Sequence, residues 1–288
     1  MKYCKKCLQT SLRPNVIFNK ESVCYPCQFN SRDVNWEERL FKLKELIKKS
    51  LVNKEHDCIL GVSGGKDSTI QALFAREKLK LNPLLVSIGY TPLQSTDLGF
   101  RNLENLLKLG FDIQTIQPAP QTSKNLSKKS FFANGNLLSF SEMALFSQVP
   151  RYAIDNKFKL ILWGENPGLQ LGDLKTLGKT GYDGNNLRDM NTLSGGELDW
   201  ITDSFEDMGD LIPYRYPSRK MFNDARIQIV YLGWFLGDWS LLNNGSISSL
   251  YGLNIRQDAP VNTGDLYGVS SLDEDWVTLN QMIKYYKY

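Results

Sequence analysis

Two groups of residues in this 288-residue chain have types and spacings that chemistry can use. The first is Cys4, Cys7, Cys24 and Cys27, two C-x2-C pairs with sixteen residues between them. Each C-x2-C turn offers two thiolates from one tight knuckle, and four soft ligands suit a tetrahedral zinc ion. Iron in a rubredoxin-like knuckle is the nearest alternative. Two disulfides would need an oxidising compartment. The second group is SGGKDS, residues 63–68, directly after the apolar run CILGV. Gly64 and Gly65 let backbone N–H groups close around an anion with no Cβ in the way, and the helix that follows points its positive end there. Lys66 adds a full charge, Ser63 and Ser68 add hydroxyls, and Asp67 can hold a magnesium ion that bridges phosphate oxygens. The loop is therefore a phosphate cradle. It is too short for the G-x4-G-K-[ST] pattern. A glycine turn without a ligand is the competing reading, but lysine beside aspartate has little packing use there.

The elements that must position these groups follow from periodicity. Trp36–Leu51 has helical spacing with Asn35 as its N-cap, and its lysines form a solvated face. Beyond Asp57, strands and helices alternate. Strands are expected at 58–62, 83–89, 112–117 and 159–163, and helices at 68–80, 97–109 (stopped by Gly110) and 141–156. Near-continuous apolar strands between amphipathic helices imply a doubly wound, mainly parallel α/β sheet carrying a small N-terminal zinc ribbon. Ligands in such folds sit beyond the carboxyl ends of the strands. Both SGGKDS and the GENPG turn, 164–168, fall at that edge. IQIVYLGWFLG, 227–237, reads as a further helix on the sheet. The glycine- and asparagine-rich stretch 164–196 reads as a long loop or lid closing over substrate.

Composition narrows the function. A net charge of +3 gives no broad electrostatic footprint for nucleic acid. No apolar run approaches the length of a membrane span, and MKYCKKCLQT has no leader-like apolar stretch, so a soluble cytoplasmic protein is expected. Cys58, the fifth cysteine, starts a buried strand, so sulfur transfer has no visible carrier in the main domain. His56 is the single histidine and lies at the opposite end of the first strand from the loop, so histidine acid–base catalysis is not expected. Two further patterns are decoys. LSGGE, 193–197, resembles an ABC-type signature, and GDLKTLGKT, 172–180, has one residue too many for a Walker A loop.

The hexapeptide after an apolar strand resembles the PP-loop ATP pyrophosphatases, which cleave ATP between its α and β phosphates. Longer stretches narrow this. The paired C-x2-C motifs, DCILGVSGGKDST, NPLLVSIGYTP leading to TDLGFRNLENLLKLGFD, LILWGENPGLQLG and IVYLGWFLGDW together are similar to the N-acetyl sugar amidotransferase family of surface-polysaccharide (LPS O-antigen) biosynthesis. The resemblance implies an ATP-dependent, AMP-forming enzyme. It adenylylates the acetamido oxygen of an N-acetyl sugar, nucleotide-linked or acidic, and installs ammonia-derived nitrogen. It further implies a glutaminase with a cyclase-like subunit as ammonia source. Carried over residue by residue, it assigns Ser63, Gly64, Gly65, Lys66, Asp67 and Ser68 to pyrophosphate and magnesium, with Lys66, Asp67 and Ser68 central to catalysis. Gly164, Glu165 and Asn166 go to the ATP and substrate side, and Ser87 lies beside adenine. The rival is a tRNA-modifying PP-loop enzyme of thiolation or lysidine type.

For the sugar, Thr96, Arg101 and Asn102 flank the second crossover, while Tyr182, Arg188, Arg219 and Arg226 lie in or after 164–196. Arginines there suit a carboxylate or diphosphate. Aromatic residues from Trp200 to Trp239 offer faces for stacking on a sugar, although most suit a core. Residues 131–142, FFANGNLLSFSE, lack the tryptophan, cysteine and histidine that relatives commonly carry, and relatives are expected to continue into a basic helical tail near where IKYYKY stands. The expected organisation is ribbon 1–30, linker helix 31–55, PP-loop domain 56–170, then insertion and helical portion 171–288.

Overall fold

Short apolar runs bounded by turn residues become the strands β1 (Cys58–Val62), β2 (Pro83–Ile88), β3 (Ile113–Ile116), β4 (Leu160–Trp163) and β5 (Gln228–Tyr231). They form one parallel sheet in the order β3-β2-β1-β4-β5. In this computed structural model the described residues are all except Pro14, Ser31, 52–54, Leu93, Leu171, Lys179, Thr192, 194–197, 199–207, 258–267, Thr278, 281–282 and 284–288. Most of LSGGE, Trp200 and the YYKY end lie outside the described residues.

The helices in chain order are α1 (Tyr25–Asn30), α2 (Trp36–Ser50), α3 (Lys66–Leu73), α4 (Asp97–Lys108), α5 (Pro120–Asn134), α6 (Ser139–Asp155), α7 (Pro167–Gln170), α8 (Arg219–Ala225) and α9 (Leu241–Leu250). Asn35 caps α2 as expected, its Oδ1 accepting from the Glu38 N–H at 3.1 Å. Strand side chains alternate between two cores, which is why the strands read as unbroken apolar runs. Ile59, Ile161 and Ile229 meet Met143, Phe146 and Val149 of α6 on one face. Leu60, Leu162 and Val230 meet Leu43 and Ile47 of α2 and Ala72 of α3 on the other. The doubly wound parallel sheet is thus the architecture that the alternation implies. No described helix is long and apolar enough to cross a membrane.

Three expectations need correction. IQIVYLGWFLG is not a helix, because Gln228–Tyr231 is β5, in register from Leu160↔Gln228 to Trp163↔Tyr231, followed by a single tight turn at Leu232–Trp234. A buried parallel strand has no alternation to distinguish it from a buried helix, and its length of four is the discriminating feature. Helix α5 went unread because PQTSKNLSKKSFFAN has weak periodicity, although proline at its start and Gly135 at φ 59° after its end are helix boundary signals. The described part of 164–196 is not an open lid. Leu187, Met190 and Leu193 sit in the core, and Tyr182–Gly184 runs along β5, the Tyr231 N–H donating to Tyr182 O at 2.9 Å and the Gly184 N–H to Ile229 O at 2.8 Å.

Candidate active site

The strand order reverses between β1 and β4, and the crevice at such a switch point is where an open α/β sheet binds its ligand. Residues 63–68 leave β1 at that point. Gly64 has φ 87°, and a Cβ there would come within 3.0 Å of the Leu103 backbone nitrogen, so only glycine fits. The Ser63 N–H donates to Ser68 Oγ at 3.0 Å, which curls the loop over the start of α3. Lys66 Nζ lies 2.7 Å from Asp67 Oδ2, and Asn244 Nδ2 donates to Asp67 Oδ1 at 2.6 Å. Ser248 Oγ donates to Lys66 O at 2.8 Å, so α9 braces the whole turn.

The turn after β4 stands opposite. Gly164 O accepts from the Gly233 N–H at 3.1 Å, tying the ends of β4 and β5, and a Cβ on Gly164 would strike Trp239 at 2.8 Å. Glu165 reaches solvent through the mouth of the cleft but is crowded by protein. That desolvation, then the Asp67 carboxylate, pushes its carboxyl up to about 7, with Lys66 pulling the other way. Asn166 is buried and spent on structure, its Nδ2 donating to Gly181 O at 3.0 Å and its Oδ1 accepting from the Leu169 N–H.

Lys66, Asp67 and Glu165 line a cleft of about 680 Å³ whose other bank is the ribbon and linker, with Cys7, Cys27, Arg32 and Trp36 among its residues. The ribbon is held there by Asn15, whose Nδ2 donates to Asp173 Oδ1 at 2.7 Å, and by Arg39. The Arg39 guanidinium lies 3.6 Å from the centre of the Trp234 ring, 5.1 Å from those of Phe29 and Trp36, and donates to Trp234 O at 2.6 Å. Burial, then neighbouring Arg32, lowers its pKa.

The four cysteine sulfurs all lie within 4.8 Å of one another, and Cys7 Sγ is 3.6 Å from Cys24 Sγ. Zn–S bonds near 2.3 Å put tetrahedral neighbours about 3.8 Å apart, so the set fits zinc. N–H groups of Lys6 and Cys24 reach Cys4 Sγ at 3.4 and 3.3 Å. Burial raises the Cys4 thiol, but backbone N–H groups, Cys24 first, bring it down to about 6. Cys58 is fully buried in β1 and burial pushes its thiol up. His56 pairs with Asp112 at 2.9 Å, at the amino end of the strands.

A second, mostly apolar pocket of about 280 Å³ opens between the carboxyl ends of β2 and β3 and the face of α4. Ser63, buried Ser87, Tyr90, Thr96 and Asp273 contribute to its walls. Tyr90 and Asp273 were not anticipated from sequence. Asp273 arrives from a C-terminal strap, and nothing in SSLDEDW distinguishes it from a solvated acidic loop.

The remaining sugar candidates scatter. Thr96 is the N-cap of α4, accepting from the Gly99 N–H at 2.9 Å. Asn102 is buried and committed, donating to Asn254 O at 3.0 Å and accepting from the Asn254 N–H at 2.7 Å. Arg101 lines a separate groove with Leu253–Gln257. Tyr182 packs edge-on against Trp234 in the core. Arg188, Arg219 and Arg226 line a hollow of about 500 Å³ at the amino end of β5, about 10 Å of strand away from the carboxyl edge. Arg219 there grips Asp189 at 2.9 and 3.0 Å, and Arg188 donates to Pro217 O. These arginines do not share the cleft with Lys66.

No family profile matches the chain. Over 94 residues it is 33% identical to an uncharacterized protein of Methanocaldococcus jannaschii, covering 30% of this chain and 32% of that one, so it spans about a third of the curated relative it matches. Among solved structures it is similar to the NH3-dependent NAD synthetase of Campylobacter jejuni (20% identical, 48% of this chain and 61% of that one, TM-score 0.35). It is also similar to the NMN synthetase of Francisella tularensis (20%, 47% and 56%, 0.33). A third is the U34-tRNA thiolase of Methanococcus maripaludis with its 4Fe–4S cluster (13%, 99% and 80%, 0.40). Likeness at these levels bears on no activity, and the chemistry has to be read from the residues.

Proposed function

We propose that this chain is an ATP-dependent, AMP-forming amidotransferase of the PP-loop kind that converts the acetamido group of an N-acetyl sugar into an acetamidino group. One observation carries the reading: the SGGKDS and GEN turns, from two different strands, face one cleft where the sheet's order reverses. The pocket beside β2 and α4 suits adenosine, and the loop amides with Lys66 suit the departing pyrophosphate. Asp67, oriented by Asn244, and Glu165 would hold a magnesium ion, which would neutralise charge gathering on pyrophosphate.

An amide carbonyl is a poor electrophile. Its oxygen attacks the α-phosphorus, the bond to pyrophosphate breaks, and the oxygen becomes part of AMP, a leaving group. Ammonia adds to the imidate carbon, loses a proton, and AMP departs with the oxygen. Ammonia comes from a glutaminase and cyclase-like partner in the cytoplasm. Trp36 and Trp239, both in the lining of the cleft, offer faces to the sugar.

Mass spectrometry of N-acetyl sugars incubated with ATP, magnesium and ammonium tests this. The expected product is lighter by about one mass unit with AMP released, and Lys66→Ala slows it by about 100-fold or more. Release of ADP and orthophosphate instead would sink it. One observation favours tRNA thiolation as a second reading: Cys7 and Cys27 border the same cleft as Lys66. Iron in the purified protein and AMP formation that depends on tRNA would support it; zinc with sugar turnover would not.

A further inference from the structure

Residues 272–275, a short strap beyond α9, are tied to the start of α4 and to the residues just before it. Thr96 Oγ1 donates to Leu272 O, the Thr96 N–H donates to Asp273 O at 3.3 Å, Ser95 and Glu274 pair as a short antiparallel bridge, and the Asp275 N–H donates to Gln94 O at 3.1 Å. The approach is close enough that Gly99 must be glycine, since a Cβ there would stand 2.6 Å from Asp273 Cα. The result is a carboxylate fixed by backbone on both sides, set in the wall of the apolar pocket and hydrogen-bonded by Ser63, the residue that opens the phosphate loop.

That position is the junction between the space for a base and the space for phosphates. A carboxylate facing phosphate oxygens would be repelled, whereas one facing a sugar's vicinal hydroxyls accepts from them. Asp273 already accepts from its own N–H and from the Ser63 and Tyr90 hydroxyls, and a carboxylate's lone-pair sites leave room for one donor more. Burial pushes its carboxyl up, and its own N–H first, then the Ser63 and Tyr90 hydroxyls and the charge of Lys66, offset this only in part. The other carboxylate lining the pocket, Glu104, is exposed and engaged by Lys108 at 2.9 Å.

We propose that Asp273 accepts a hydrogen bond from a ribose hydroxyl of the bound adenine nucleotide, so that the C-terminal strap selects ribonucleotides over deoxyribonucleotides. This rests on the reading of the site as an ATP site. It makes Asp273 a specificity residue rather than part of the phosphate machinery.

Calorimetric titration of the full chain with ATP, 2′-deoxyATP and 3′-deoxyATP, each with magnesium, tests it. The wild type should bind ATP about tenfold or more tightly than at least one deoxy analogue, the scale of one hydrogen bond to a charged group. Asp273→Asn should bind all three within about twofold of one another, at the weaker level, with an unchanged circular dichroism spectrum. Equal binding of the three by the wild type, or discrimination retained in Asp273→Asn, overturns the assignment while leaving the ATP site standing. Failure of every nucleotide to bind the wild type overturns both. If Asp273→Asn does not fold, the wild-type series alone decides.

Discussion

At the scale of single residues, the site concentrates acid around one ammonium. Asp67, Glu165 and Asp273 all act on, or are acted on by, Lys66, so a triphosphate can enter only with cations to offset the charge. Glu165 has a consequence for pH. Its folded value of about 7 lies above the ordinary 4.5, so between those values the folded chain holds more protons than the unfolded one. Stability should therefore fall as pH rises from about 4.5 to about 7 and level off above. Glu274 adds to the same slope: it is buried, also pushed up to about 7 by burial, and neither its Oε2 nor neighbouring Gln94 Oε1 has a partner among the described residues. Thermal melts across this range should show Glu165→Gln and Glu274→Gln each flattening the slope, and a double variant with the wild-type slope would refute the account. On the proposed reading, in which ionised Glu165 serves AMP formation, that activity should instead rise through pH 7 and lose the rise in Glu165→Gln.

At the scale of elements, contact between the strap and α4 sets a second expectation. Gly99→Ala forces a methyl into the Asp273 backbone, an overpacking that costs about 1–3 kcal/mol. The melting temperature should drop, and nucleotide binding should weaken with it. Unchanged binding would mean that the strap does not serve the pocket. The same contrast between local and distant explains what could be read from sequence. The phosphate loop, the cysteine knuckles and strands β1 to β4 are written in consecutive residues, whose spacing alone reveals glycine turns, ligand pairs and apolar runs. Asp273 becomes part of a pocket only because residues 94–96 bond to it and its neighbours from nearly 180 positions away, and no spacing encodes that. Arg188 and Arg219 mislead for the converse reason. They follow the second active loop in sequence, yet the chain carries them round to the amino end of β5 before it re-enters the sheet.

At the scale of the whole molecule, the ribbon is a wall of the cleft and not an appendage. About thirty residues cannot bury a core of their own, so the four thiols need a metal to hold the fold, and Arg39 then seats that fold against Trp234. Two treatments should therefore converge. On the proposed reading, chelation of a metal held there, and Arg39→Ala, which removes a guanidinium set over three rings, should each reduce sugar turnover by raising KM while the sheet keeps its circular dichroism. Turnover unchanged after full metal loss would separate the ribbon from the reaction.

The strap also fixes when in its life the polypeptide can work. The five strands of the described sheet are complete at residue 231, so a nascent or prematurely terminated chain can already possess that sheet, its glycine turn and its lysine. The wall that Asp273 gives the second pocket is supplied more than forty positions later. On the proposed reading, synthesis order thereby keeps copies that stop short of Asp273 from holding nucleotide as copies that include it do.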